Sequence, residues 1–385
     1  MTNGFAELGS VAEFINGAAF KPEDWGDSGK RIIRIQNLTD STKPFNRTHR
    51  IVPEKLHVNP GDLLVSWSAT LGVFEWSGSD VALLNQHIFR VVPDERRVDK
   101  KYLRYGLELA LFDMERHLHG ATMQHVNRRE FLGTKLFIPP LAEQQRIAEI
   151  LDKAEALRAK RNAALVKIDI LPQAIFLELF GDPATNPKAW PATTIADLCE
   201  VKGGKRLPKG EEYSATPTPF RYIRVTDIKN GAIDEGALLY LKPKIQKKIA
   251  RYIVNAGDVI ISIAGSIGLI APVSSSLDGA NLTENAAKLV ARKKGTVDPM
   301  FLAMLLRMPV IQSQIGSHIG QVTIGKLALF RIEKLRVPLP PIELQHEFAR
   351  RVSAVEKLKA AQNASLAKLD ALFASLQHRA FRGEL

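Results

Sequence analysis

The sequence predicts an α+β fold: two repeated mixed α/β globular units separated by two long helices, which form an antiparallel coiled coil with pseudo-two-fold symmetry. Three observations predict it. First, residues 139 to 181 recur at 340 to 382 at a constant offset of 201, with Pro139 on Pro340, Gln144 on Gln345, Glu155 on Glu356, Leu157 on Leu358, Asn162 on Asn363, Asp169 on Asp370 and Phe180 on Phe381. Second, both copies carry a heptad rhythm, the mark of a helix that packs on another helix. Third, the text before each copy is itself a replay. A repeat of this length outranks every local signal and is settled first.

The elements follow in order. Residues 1 to 138 form the first globular unit, with short apolar bursts between Gly, Pro and Asn turns. RIIRIQNL (31 to 38) alternates as a strand does, GDLLVSWSATLG (61 to 72) reads as turn, strand and small-residue loop, and 100 to 118 reads as helix. Residues 139 to 181 form the first long helix, opened by Pro139 and Pro140, which suit a first turn and no other helical position. Its seam is expected at Ile150, Ala154, Leu157, Arg161, Ala164, Ile168, Leu171 and Ile175, with Arg351, Val355, Leu358, Gln362, Ser365, Leu369, Leu372 and Leu376 in the second copy. Arg161 and Gln362 are then polar residues at matching seam points, either pinning the register or escaping to water. Pro172, which has Phe373 as its counterpart, predicts a kink or restart near 171. A linker rich in Pro and turn formers (181 to 191) leads into the second globular unit, 182 to 338, and the second long helix occupies 339 to 385.

The second globular unit repeats the first with drifting offsets. EFING (13 to 17) matches EVKGG (200 to 204), RIIRIQNL matches FRYIRVTDI with Arg34 on Arg224, and GDLLVSWSATLG matches GDVIISIAGSIG. Helices repeated nearly verbatim between globules with altered loops imply one shared structural task and two different recognition tasks. The connectivity globule, helix, globule, helix makes a paired second helix run back along the first. About 30 to 37 helical residues at ~1.5 Å rise would span roughly 45 to 55 Å, enough for two modules to meet one face of B-DNA about a turn apart.

The bulk numbers bound the function. The 385 residues are 45% hydrophobic and 24% charged, with a net charge of +12. Such a chain is globular, and its charge favours a polyanionic partner, nucleic acid before a membrane surface, against a merely basic protein. The single cysteine, Cys199, excludes an internal disulfide framework and reads as a packed core thiol of a reducing compartment. No signal-peptide pattern opens the sequence, and the longest apolar stretch, 259 to 273, is short and interrupted. The expectation is a soluble cytoplasmic protein with no membrane contact.

The PPLAEQQ and PPIELQ segments, the FGD and FRGEL exits, and the YIRVTDI and AGDVIISIAGSIG segments, in this order and twice over, resemble the specificity subunits of type I restriction–modification enzymes. The resemblance covers essentially the whole chain. It implies two target recognition domains, each reading one half of a bipartite asymmetric site in double-stranded DNA across a non-specific spacer. It also implies helices that dock two methyltransferase (M) subunits, and restriction (R) subunits that add ATP-driven cleavage. The docking residues would be Glu143, Gln144 and Gln145 in the first helix and Gln345 and Glu347 in the second. Leu344 stands where the first copy has Glu143, so the two docking contacts are expected to differ. A stand-alone DNA-binding regulator or architectural protein is the alternative from another class, and would need the basic globules without the duplicated helices.

Catalytic signatures are absent. Gly320 to Lys326 fits the first seven places of a phosphate-binding loop, but the eighth is Leu327, where Mg²⁺ needs Ser or Thr. His117, His119 and His125 lack any ligand spacing, so no metal is expected. The charged turn around Pro93, Asp94, Asp99, Lys100 and Lys101 is too compact for a nuclease site. No adenine-methyltransferase motif occurs, so a non-catalytic subunit without a cofactor is expected.

DNA contact is expected from Lys and Arg on phosphates and from polar side chains on base edges. In the first unit the candidates are Arg34, Gln36, Asn37, Lys43, Asn46, Arg47, His49 and Arg50. In the second they are Lys205, Arg206, Lys209, Arg224, Thr226, Lys229, Lys242, Lys244, Lys247, Lys248, Arg251 and Ser266. Arg34 and Arg224, matched between copies, are expected to share one role, phosphate contact or framework pairing.

Overall fold

The computed structural model describes residues 4–117, 127–317 and 325–385. The chain divides into two compact units, one of Met1–Ala163 with Asn363–Leu385, the other Ala164–Gln362. Five helices organise them: α1 (Lys100–His117), α2 (Leu141–Phe180), α3 (Pro243–Ile249), α4 (Pro299–Arg307) and α5 (Ile342–Ala380). No helix among the described residues is long and apolar enough to cross a membrane.

The first unit holds β1 (Ala12–Asn16), β2 (Lys30–Ile33), β3 (Leu63–Ser66), β4 (Gly72–Glu75), β5 (Ala82–Leu84) and β6 (Ile88–Pro93). One sheet runs β1-β6-β3-β4, all antiparallel; in the other, β2 and β5 pair in parallel between two short edge strands. The second unit repeats the plan with β7 (Cys199–Gly203), β8 (Arg221–Ile223), β9 (Val259–Ser262), β10 (Ile270–Pro272), β11 (Asn281–Leu282) and β12 (Ala286–Ala291). Its first sheet runs β7-β12-β9-β10, and β8 pairs in parallel with β11. Duplication is thus visible in topology as well as in text.

The repeated motifs have physical causes. In each Gly-Asp turn the carboxylate accepts a backbone N–H, Asn59 to Asp62 at 2.8 Å and Asn255 to Asp258 at 2.9 Å. Each aspartate also meets a cation, Arg90 at 3.3 Å and Lys288 at 3.5 Å. The serines that follow, Ser66 and Ser262, are fully buried and donate to Thr70 O and Ser266 O, closing the small-residue loop. Gly17 and Gly204 end β1 and β7 where a Cβ would overlap the carbonyls of Asn85 and Thr283. No other residue fits a backbone approach that close. Cys199 is buried among apolar side chains, and burial pushes its thiol up to about 11. The packed-thiol expectation holds.

The long helices run 40 and 39 residues, longer than the sequence suggested. Their compositions explain their persistence: Ala, Leu, Glu, Lys and Arg dominate both, and all favour helix. Gly181, at φ +77°, stops α2. The Trp190 indole donates to Phe180 O at 2.9 Å, and the Lys188 ammonium donates to Glu178 O and Leu179 O, satisfying carbonyls the helix leaves open. The restart expected at Pro172 does not occur; the helix runs through it. Phe176 beyond it is 1% exposed in the second unit's core, and that packing offsets the one backbone bond proline removes.

The seam is corrected too. Ala154, Arg161, Ile168 and Ile175 do face inward, and Ala164 is half-buried with Leu165, but where Leu157 and Leu171 were expected the inward positions are Arg158 and Pro172, one residue later, and Leu151 is buried beyond Ile150. The second copy does the same with Val352, Lys359, Leu366 and Phe373. Leu157 and Leu171 are 53% and 38% exposed. Hydrophobicity alone drew the expected seam to those leucines, whereas Arg158 is held inside by an ion pair with Asp370 at 2.5 Å and by the Phe373 ring at 4.6 Å. In the second unit Lys359 meets Asp169 at 2.6 Å. Shifting Arg158 forward and Asp370 back by 201 gives Lys359 and Asp169, so one bridge is built twice. Asp169 with Lys359 and Glu178 with Arg351 show the second-unit segments running antiparallel.

Candidate nucleic-acid interface

The second unit presents its charge on α3. Pro243 opens this helix, and Ile245 and Ile249, four apart, bury against Tyr222 and Leu241. That spacing forces Lys244, Lys247 and Lys248 onto the outward face, Arg251 follows in the next short turn, and all four are exposed. Glu211 bridges Lys248 at 2.9 Å and Lys244 at 3.2 Å, and these two hold its carboxyl below the usual range. Lys247 and Arg251 face solvent beside that clamp, while Lys242, half-buried, precedes the helix. The stripe suits the phosphate line of a duplex.

A second group gathers at the end of β7. Lys205 lies 5.9 Å from the Tyr252 ring, Arg206 bonds Glu284 at 2.8 Å, and Lys209 is exposed on the same loop. Ser266 is exposed on the turn after β9. Lys229 pairs with Asp234 at 2.8 Å, which raises the lysine's proton affinity, and Thr226 is exposed nearby in sequence.

Among its described residues the first unit has no counterpart of α3. Its candidates gather instead on and around a short edge strand, Arg47–Thr48, that pairs with β2, and several are tied down by their own contacts. Arg47 donates to Gly29 O at 2.9 Å; Arg50 donates to Ala19 O and Asp24 and covers the Phe20 ring. His49 meets Ser28 Oγ at 2.9 Å, and Lys43 lies at 4.0 Å from Asp40. Lys43, His49, Arg50 and Gln36 are exposed. A cavity of about 460 Å³ opens here between Lys30, His49, Arg50, His57 and Asp80.

Several expected contacts are framework instead. Asn37 is 8% exposed, accepts from Arg34 N, and donates to the carbonyls of Lys43 and Pro44; its amide is consumed in shaping the loop, so it leaves the DNA-facing set. Arg224 grips the fully buried Asp227 through two nitrogens, at 2.6 and 3.1 Å, and also donates to Ala237 O. Arg34 holds Asn46 at 3.1 Å and lies over Trp25. Both arginines thus make framework contacts in the protein itself.

The helix starts are corrected likewise. Gln144 and Gln345 are fully buried. Gln144 accepts from Asp99 N at 2.8 Å and donates to Pro139 O and Arg97 O; Gln345 accepts from Asp298 N at 2.9 Å and donates to Pro340 O. Each locks its long helix to the N-terminus of α1 or α4, so neither can touch a partner. Glu143, Gln145 and Glu347 remain at the surface; Glu143 pairs with Arg146 and Glu347 with Arg351.

Sequence reasoning passed over three exposed apolar groups beside these cations: Trp25 at 37%, Ile51 at 96% and Phe330 at 53%. Only the interleaving of apolar and basic residues could have flagged them. His119, His125 and residues 320 to 324 of the phosphate-loop decoy lie outside the described residues, as does the side chain of His117. Among the described residues no cluster of His, Cys, Asp and Glu could hold a metal ion.

Comparison with known proteins places this architecture. The family model described as Type I restriction modification DNA specificity domain matches twice, at residues 2–167 and 187–370. The specificity subunit of the type I restriction enzyme EcoBI of Escherichia coli is 27% identical, over 98% of this chain and 85% of that protein. That of EcoKI, from Escherichia coli strain K12, is 22% identical over 99% and 88%. Among solved structures, one described as the structural basis of complex assembly and conformational transition of the type I R-M system aligns with TM-score 0.63 at 17% identity, covering 99% of this chain and 98% of that one. The S subunit of the type I system of M. genitalium aligns with TM-score 0.55 at 16% identity, covering 98% and 95%. At such identities these two structures speak for the fold alone.

Proposed function

The chain belongs to the family of type I restriction–modification DNA specificity subunits, and on that premise we propose that it reads a bipartite, asymmetric site in double-stranded DNA. Residues 1 to 138 and 182 to 338 are the two recognition domains, each serving one half-site. The helices within 139 to 181 and 339 to 385 set the spacer and dock two methyltransferase subunits, to which restriction subunits add. The chain supplies recognition, and the chemistry belongs to its partners.

One observation supports this reading above others. The helices offer solvent two matched pairs of leucines, Leu157 with Leu358 (53% and 44% exposed) and Leu171 with Leu372 (38% and 50%), beside Val166, Ile170 and Leu177, exposed on α2 alone, while the basic surfaces of the two domains share no design. Matched apolar residues on two equivalent helices suit two copies of one partner. Unmatched basic faces suit two different DNA sequences.

Co-purification from the native host measures the partner stoichiometry, and two methyltransferase subunits per copy is the expected result. Leu157→Asp with Leu358→Asp should release both. A chain that binds DNA with no methyltransferase would instead be a stand-alone regulator. Replacing residues 1 to 138 by another recognition domain should change one half-site of the host methylome and leave the other.

A further inference from the structure

In both units a five-residue helix precedes the strand that leads to the long helix, Arg128–Leu132 in the first and Leu329–Glu333 in the second. The offset is 201 again, and Phe131 and Ile332 are the matching fully buried residues. Two positions before this anchor stands an exposed residue, Arg129 in the first copy and Phe330 in the second.

Phe330 is 53% exposed. Arg331 and Lys334 lie 5.8 and 5.6 Å from its ring centre. Leu329 packs 3.7 Å from the point where a Cβ on Gly203 would lie, so the ring's helix abuts the end of β7, where the chain continues to Lys205 and Arg206. The segment before the helix is tied to the turn that carries Ser266, through the bridge of Ala264 with Lys326 and the bond from Leu327 N to Ile263 O at 2.8 Å. Two cations thus flank one solvent-facing aromatic ring, on a helix that abuts the end of β7 and is tied to the turn of Ser266. An apolar ring rimmed by positive charge matches a nucleic acid, whose base faces are apolar and whose flanks are phosphates.

Resting on the DNA-reading function above, we propose that Phe330 is a wedge: its ring enters an opened base step in or beside the second half-site, while Arg331 and Lys334 hold the flanking phosphates. The first unit has Arg129 at this place and binds its half-site without a wedge. The second half-site is therefore the deformable one, and pyrimidine–purine steps, the easiest to unstack, are favoured at the point of entry.

The test uses the full chain with its methyltransferase subunits and a duplex carrying the site mapped by methylome sequencing, with 2-aminopurine placed singly along it. Wild type should brighten the probe at one step of the second half-site and at none in the first. Phe330→Ala should abolish that signal and weaken binding on the order of tenfold or more, and Phe330→Trp should restore both. Unchanged affinity and an unchanged probe signal in Phe330→Ala would overturn the wedge. So would loss of affinity on replacing a thymine by uracil with no brightening anywhere, which would make the ring a reader of a methyl group. Lys247→Ala with Arg251→Ala separates this from failure of the underlying function. If that pair weakens binding while Phe330→Ala does not, only the wedge falls; if neither does, the DNA-reading assignment of this domain falls with it.

Discussion

The joint between helical subdomain and long helix occurs twice, and the two copies use different chemistry. In the first unit α1 meets α2 through charge. Arg104 bonds Glu155 at 2.6 Å and Glu108 at 3.1 Å, Lys101 bonds Asp152 at 2.8 Å, and the Tyr105 hydroxyl reaches Asp152 and Glu155 at 2.7 and 3.0 Å. In the second unit the matching residues of α4 are Met300, Ala303 and Met304, and Asp152 has Ser353 as its counterpart. Here Phe301 packs on Phe176 and Phe180 at 5.7 and 4.9 Å. Both joints keep the glutamine lock and one aromatic contact, since Tyr102 packs on Phe381 as Phe301 packs on Phe180, at 4.6 Å. A duplicated fold therefore fixes geometry and leaves the means of holding it free to drift.

The sharpest way to break the comparison is to empty each joint. Phe301→Ala removes a ring 1% exposed and should cost about 3–5 kcal/mol, read as lost amide-exchange protection in α4 with α1 unaffected. Next is Arg104→Ala, which strands Glu108 and Glu155 in a half-buried site and should cost about 2–3 kcal/mol, read by the same exchange in α1. If the two losses are equal in high and low salt alike, the contrast between an ionic and an apolar joint is wrong.

A pH scan sharpens it further. Burial pushes the Glu108 carboxyl up to about 7 despite Arg104 beside it. A folded value above the unfolded one means that the protonated acid favours the fold. This stability is present in full below about 4.5 and is lost as pH rises through about 7. Glu108→Gln should flatten that slope in the first unit and leave the second unchanged, since the counterpart there is Arg307. The smallest effect belongs to the twin bridges. Arg158→Met and Lys359→Met, in partly exposed pairs, should each cost no more than about 1 kcal/mol, and unequal costs would show that the symmetry of the helix pair is not energetic.

The duplication, the unit order and the long helices were legible because they are written in runs of residues with one period. The seam was half legible: apolar periodicity found Ala154 and Ile168 but chose Leu157 over Arg158, because an inward arginine needs Asp370, 212 residues away, to make sense. Basic runs found α3, whose stripe is local. They could not separate Asn37 and Arg224, which build loops, from cations that face solvent, because that depends on which backbone carbonyls close beneath them. Phe330 was invisible for the opposite reason: a lone aromatic in sequence reads as core until its neighbours are placed.

The first unit needs Phe373, Ala380 and Phe381 in its core, whereas the second is one continuous stretch from 164 to 362. Synthesis proceeds from the N-terminus at about 5–20 residues per second. The domain made first must therefore wait, its apolar surface open, until the domain made after it is already whole. On the ribosome the later half therefore has all of its own residues before the earlier one does.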